Sequence, residues 1–115
     1  MPQRFSEPLF VISVAARLVE MHPQTLRKYE REGLIAPSRT SGNLRLYSDE
    51  DIERLRQVKY LVEQRGLNLA GVQLALDLTR GLQSMRERCA RERGQDAMEK
   101  EINTLLRVLG HVDQQ

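Results

Sequence analysis

A chain of 115 residues, 40% of them hydrophobic, has room for one small domain, or for a small domain with an appendage. Aromatic residues are only 4% and tryptophan is absent, so the core must be aliphatic and modest, which favours support from a second subunit. The net charge of +2 singles out no partner, a lone cysteine (Cys89) excludes an internal disulfide, and no apolar run approaches membrane-spanning length.

Met1 to Pro8 is polar, carries two prolines, and reads as a loose arm. Leu9 to Val19 is interrupted by Ser13 and Arg17 and lacks a cleavage pattern, so no signal peptide is expected. With the single cysteine, this fits a reducing cytoplasm. Leu9-Phe10-Val11-Ile12 is short and β-prone, a brief extended entry. Ser13 then suits the N-cap of a helix bearing Val14, Ala15, Ala16, Leu18 and Val19. A turn of Glu20-Met21-His22 and a second helix from Pro23 complete helix-turn-helix spacing.

That second helix is the centre of the chain. Pro23 suits the first helical position and Gly33 the position just past the end. Gln24, Arg27, Lys28 and Arg31 recur at helical spacing and share one face, while Leu26 lies opposite with Tyr29 on its flank. Two arginines, a lysine and an amide on a short capped helix suit a major groove, where arginine and glutamine reach base edges and phosphates take the charge. From Met21 to Tyr47, five basic side chains stand against two acids, and the sign reverses at Asp49-Glu50-Asp51. Taken alone, such a face is more often solvated surface; its neighbours decide otherwise.

Pro37 and Ser41-Gly42-Asn43 break the next segment into two arms, Arg39-Thr40 and Leu44-Arg45-Leu46-Tyr47, a β-hairpin with an arginine on each arm. Alternation puts Arg45 and Tyr47 on one side, Leu44 and Leu46 on the other. Directly after a recognition helix, such a hairpin is a wing that grips backbone. Ser48 and the acids after it start a further helix with a buried stripe of Ile52, Leu55, Val58 and Val62; Lys59 and Arg65 lie off the stripe, towards a more distant phosphate. Gly66 ends it and Asn68 caps another, apolar around much of its circumference and therefore expected to be buried between other parts.

Beyond Leu82 the chain is charged and helical. Met98, Ile102, Leu105, Leu109 and Val112 repeat as a heptad seam, and Leu82, Met85 and Cys89 form a shorter one in another register, with Gly94 between. A continuous helix from Ser84 to Val112 would be roughly 40 Å long. Pairing antiparallel with the same helix of a second subunit is the preferred reading, and folding back on its own domain is the alternative. The predicted architecture is mainly α: an arm (1–8), a winged helix-turn-helix domain (9–80), and a dimerisation helix and tail (81–115) forming an antiparallel coiled coil.

The succession resembles the MerR family of transcription regulators. Carrying the likeness are Thr25-Leu26-Arg27 with Tyr29-Glu30, Gly33-Leu34-Ile35 with Pro37, and Arg39, Gly42, Arg45 and Tyr47, continuing through Asp51-Ile52, Leu55, and Gly66 with Leu69. Val11-Ile12-Ser13-Val14-Ala15-Ala16, Met21-His22-Pro23-Gln24-Thr25-Leu26-Arg27 and Asn68-Leu69-Ala70-Gly71 look like its heat-shock repressor branch, HspR. The resemblance implies a cytoplasmic, nucleoid-associated bacterial repressor of chaperone and protease genes. It would bind an inverted-repeat operator in double-stranded DNA as a homodimer, with the Hsp70 chaperone DnaK as co-repressor. It implies DNA contacts at Thr25, Arg27 and Tyr29 in the helix and at Arg39, Arg45 and Tyr47 in the wing. Two positions depart from the family pattern: Lys28 replaces a usual aromatic, and Leu46 a usual arginine.

Other readings stay open beside it. One is a family member that activates by twisting promoter DNA around a different signal; another is a helical adaptor whose basic helix touches protein. No metal or other cofactor is expected, because Cys89 stands alone and His22 and His111 are remote in sequence. Nor is an enzyme, for want of an acid, base and nucleophile beside a pocket motif.

Overall fold

The computed structural model describes residues 5, 7–92 and 96–112, and the chain divides into two compact units, Met1–Val58 and Lys59–Gln115. In the first unit, strand β1 (Pro8–Val11) runs directly into helix α1 (Ile12–Val19). Ser13 does not cap it: Val11 holds the N-cap position without a side-chain bond, and Ser13 sits exposed as the second helical residue. The pairing of β1 with the wing, and not a serine cap, sets where this helix begins. At the other end Glu20 takes the left-handed conformation (φ 56°), and the amides of Glu20 and Met21 close on the carbonyls of Arg17 and Ala16. Helix α2 (Pro23–Arg31) follows at once.

Ala15 and Ala16, both buried, let α1 and α2 approach closely around the fully enclosed Leu26. The wing strands β2 (Ser38–Arg39) and β3 (Arg45–Ser48) join β1 in an antiparallel sheet of order β1-β3-β2, with Phe10 opposite Tyr47 and Arg39 opposite Arg45. Helix α3 (Asp49–Glu63) opens with a reciprocal capping box. The Asp51 amide donates to Ser48 Oγ at 3.0 Å, and the Ser48 amide to Asp51 Oδ2 at 2.9 Å. Ile52, Leu55 and Val58 of α3 complete the core of this unit, and Arg56 donates to the Leu18 carbonyl at the open end of α1.

The unit boundary falls within α3. In the second unit Leu61, not Val62, is the buried residue of its last turns, and Gly66 (φ 65°) ends it. Asn68 Oδ1 accepts the Gly71 amide at 2.9 Å and starts helix α4 (Leu69–Ala90). Only one side of α4 is enclosed, by Val72, Ala75, Leu76 and Thr79; Leu69, Leu74, Leu78 and Met85 are exposed, contrary to a helix covered all round.

The terminal region, whose continuity through Gly94 the sequence leaves open, forms two helices. Helix α4 ends at Ala90, and helix α5 (Asp96–Val108) packs back on it; Gly94 lies outside the described residues. Polar bonds fix the register of the hairpin: Arg86 Nη1 donates to Asn103 Oδ1 at 3.0 Å, and Gln83 Nε2 meets His111 Nε2 at 3.1 Å. Ile102 and Leu106 are the buried residues of α5, so Ile102 is spent inside the chain and is no seam residue for a partner. Met98, Leu105 and Val112 stay exposed, and Leu109 is half-buried. Within the chain α5 thus folds back on α4, with Ile102 and Leu106 on the packed side. Past α5, Gly110 takes φ 81° against Tyr60, whose ring stands where a Cβ would need to be.

Candidate nucleic-acid interface

Helix α2 is aimed by both of its ends. His22 precedes Pro23 in extended conformation, and its Nδ1 accepts the Gln24 amide at 3.0 Å. The imidazole nitrogen thus does the work of an aspartate or serine cap oxygen. Past the last turn Gly33 (φ 80°) lets Leu34 and Ile35 turn into the core. Between these ends Leu26 and Tyr29 face inward and Gln24, Lys28 and Arg31 face solvent, with Arg27 and Thr25 partly covered. Lys28 and Arg31 also stand in the last turn, where the helix dipole favours cations.

The wing is tied to this helix through one carboxylate. Glu30 Oε2 accepts Arg39 Nη2 at 2.6 Å, and Glu30 Oε1 accepts Arg45 Nε at 2.5 Å. Burial works to raise the Glu30 carboxyl, but the hydrogen bonds from Arg45 and Arg39 and their two charges outweigh it and hold it below the ordinary carboxylate value. The same hydrogen bond raises Arg45 above its ordinary value against a smaller opposing effect of burial. At the wing tip Arg39 Nη1 also donates to the Asn43 carbonyl at 3.4 Å, and Thr40 Oγ1 accepts the Leu44 amide at 3.1 Å.

Two of the expected DNA contacts belong instead to the scaffold. Tyr47 is fully enclosed, and its hydroxyl has no hydrogen-bond partner. Burial first, and the Glu30 carboxylate second, push that hydroxyl above the ordinary phenol value. Strand alternation explains the placement: Arg45 and Tyr47 share the side of β3 that faces α2, so one meets Glu30 and the other fills the core. Leu44 and Leu46 take the outer side, Leu44 largely exposed. Tyr29 is likewise buried, at 8% exposure, because it lies beside Leu26 on the inner face.

Gln24, Thr25, Arg27, Lys28 and Arg31 therefore share α2, with Arg39 and Arg45 fastened beside them; Lys59 is a half-buried residue of the second unit. Sequence reasoning missed Glu30 as the hub. Its signal was there: an acid in the last turn of a basic helix, followed by one arginine on each hairpin arm. Among the described residues no group of three His, Cys, Asp or Glu side chains is placed to hold a metal ion.

The family model for MerR helix-turn-helix regulatory proteins matches residues 10–79. The chain is 49% identical over 83 residues to a protein of Streptomyces coelicolor provisionally named heat shock protein HspR, covering 72% of this chain and 55% of that one. It is 41% identical over 73 residues to the transcriptional regulator GlnR of Bacillus anthracis, covering 64% and 56% respectively. The chain thus spans about half the length of these curated relatives. Among solved structures, a transcription regulator from Ralstonia metallidurans in complex with lead(II) superposes with a TM-score of 0.56 at 27% identity, covering 87% of this chain and 68% of that one.

Proposed function

This chain belongs to the MerR family of helix-turn-helix regulatory proteins, and from that premise we propose that it represses heat-shock genes by binding an inverted-repeat operator as a dimer. A MerR-family transcriptional regulator is not an enzyme, and members of the family bind DNA and act as dimers. The observation that carries the reading is the outward row of Gln24, Lys28 and Arg31 beside Arg27, on a helix whose other face is sealed by Leu26 and Tyr29. Such a helix presents base-reading and phosphate-binding groups to a groove while its scaffold stays dry. The heat-shock assignment is supported by the identity with the Streptomyces protein, and the HspR likeness extends it to DnaK as co-repressor.

Dimerisation is proposed through the second unit, but along a different row from the terminal heptad seam. Helix α4 exposes Leu74, Leu78 and Met85, with Leu82 half-buried among them, around an apolar groove bordered by Gly81. Exposed apolar rows of this kind mark protein contacts. Met98, Leu105 and Val112 lie outside the packed side of α5 and remain candidates for the same role. Leu78→Asp is expected to weaken self-association by about 3 kcal/mol, or ~100-fold, in sedimentation equilibrium, since it sets a charge in an apolar contact.

The function is tested by recovering the DNA that this chain captures from genomic fragments and titrating it in mobility shifts across salt. Selective binding with steep salt dependence, and repression in vitro strengthened by DnaK, are expected. Binding without sequence preference would refute operator recognition, and activation of transcription would favour promoter distortion.

A further inference from the structure

Glu30 stands where an acid works against attraction to DNA, at the end of a cationic helix and between two cationic strands. Its carboxylate is bonded to both wing arginines. Its two oxygens are divided, one to Arg39 on β2 and one to Arg45 on β3, at 2.6 and 2.5 Å. Exposed ion pairs contribute little to stability, typically about 0.2–1 kcal/mol each. This arrangement has other consequences. A single carboxylate joins three elements, with its side chain only 21% exposed, so the wing cannot swing from α2 without breaking two charged hydrogen bonds. Each guanidinium keeps donors to spare: Arg45 gives Glu30 only its Nε, and Arg39 gives it only Nη2. A guanidinium carries five N–H donors, so both arginines can hold Glu30 and reach a phosphate together. The cluster of two cations and one anion carries one net positive charge, not two.

Building on the DNA-binding reading above, we propose that Glu30 is a positioning residue for DNA discrimination. It locks the wing arginines in register with the recognition helix and withholds one unit of their charge from indiscriminate phosphate binding. Target DNA, whose phosphates match the locked geometry, loses little by this. Random DNA, held by charge alone, loses more.

The test uses the full chain, the 30-base-pair duplex that it enriches most strongly from a random pool, and a scrambled duplex of the same composition. Glu30→Gln is expected to tighten binding to the scrambled duplex about 3- to 10-fold and to steepen its salt slope by about 0.9, one added phosphate neutralised. On the enriched duplex it is expected to leave binding no tighter, so that the ratio of the two affinities falls at least ~3-fold. Equal shifts on both duplexes, in either direction, would overturn the proposal: a rise would show charge alone, and a fall would show only damaged structure. A DNA-free readout stands apart from the variant's folding. In the unmodified chain, the Arg45 Nε–H NMR signal is expected to exchange with water at least ~10-fold more slowly than that of free arginine, as a hydrogen-bonded proton does. Exchange at the free rate would overturn the clamp itself. Failure to enrich any duplex would instead overturn the DNA reading, and the proposal with it.

Discussion

The two units of this chain are held by different physics. In Met1–Val58, directional polar bonds define the elements: the His22 cap on α2, the Ser48–Asp51 box on α3, Arg56 on the Leu18 carbonyl, and Glu30 between helix and wing. In Lys59–Gln115 the Asn68 cap and the Arg86–Asn103 and Gln83–His111 bonds set a helix start and the hairpin register, while an apolar choice decides which side of α4 is covered by α5 and which is left to solvent. The first kind of bond fixes a side chain to within a few tenths of an ångström, as a recognition surface needs. The second leaves an apolar side of α4 exposed, the surface proposed above for self-association.

The largest effect expected from breaking this contrast lies in the apolar unit. Leu106, 1% exposed, is the better enclosed of the two buried residues of α5, so Leu106→Ala should cost about 2–5 kcal/mol in transfer and cavity terms. Amide exchange locates the loss: protection should fall along α5 and hold along α2. Equal loss in both helices would mean that the units do not differ as described. A pair of glycines sharpens the comparison. Gly33 and Gly110 have nearly the same left-handed φ, 80° and 81°, but a Cβ at Gly33 meets open space and one at Gly110 meets the Tyr60 ring. Gly110→Ala should therefore cost about 2–4 kcal/mol, backbone strain plus a steric clash, against about 1 kcal/mol for Gly33→Ala. Urea unfolding that ranks them the other way would remove the Tyr60 contact from the account.

This contrast also explains how far the sequence could be read. Pro23, Gly33, Ser48, Gly66 and Asn68 announce helix ends because each solves a local backbone problem, and all five stand where that chemistry places them. The hairpin was legible from Pro37 and Ser41-Gly42-Asn43 for the same reason. Ser13 misled because strand pairing, a non-local contact, fixed the start of α1. Tyr47 misled because the family likeness implied a DNA contact there, whereas in this chain its ring is enclosed in the core. The hairpin of α4 and α5 was hardest: with apolar residues on several sides of α4 and a heptad stripe on α5, periodicity alone did not say which stripe pairs with which.

A smaller effect belongs to the polar unit. The folded Glu30 carboxyl titrates below its unfolded value, so its contribution is complete above the ordinary carboxylate range and is lost as pH falls through that range to the folded value. Across that window the unmodified chain should lose up to about 1 kcal/mol more stability than Glu30→Gln. Parallel stability curves in acid would show that the two arginine bonds contribute nothing in solution.

The central claim, that the outer face of α2 reads sequence, is met most directly by Arg27→Ala in competition titrations on the enriched and scrambled duplexes. The account predicts a loss of about 1–3 kcal/mol on the enriched duplex and a much smaller change on the scrambled one. Equal losses on the two would make Arg27 a phosphate contact and leave this face of the helix without a reading role.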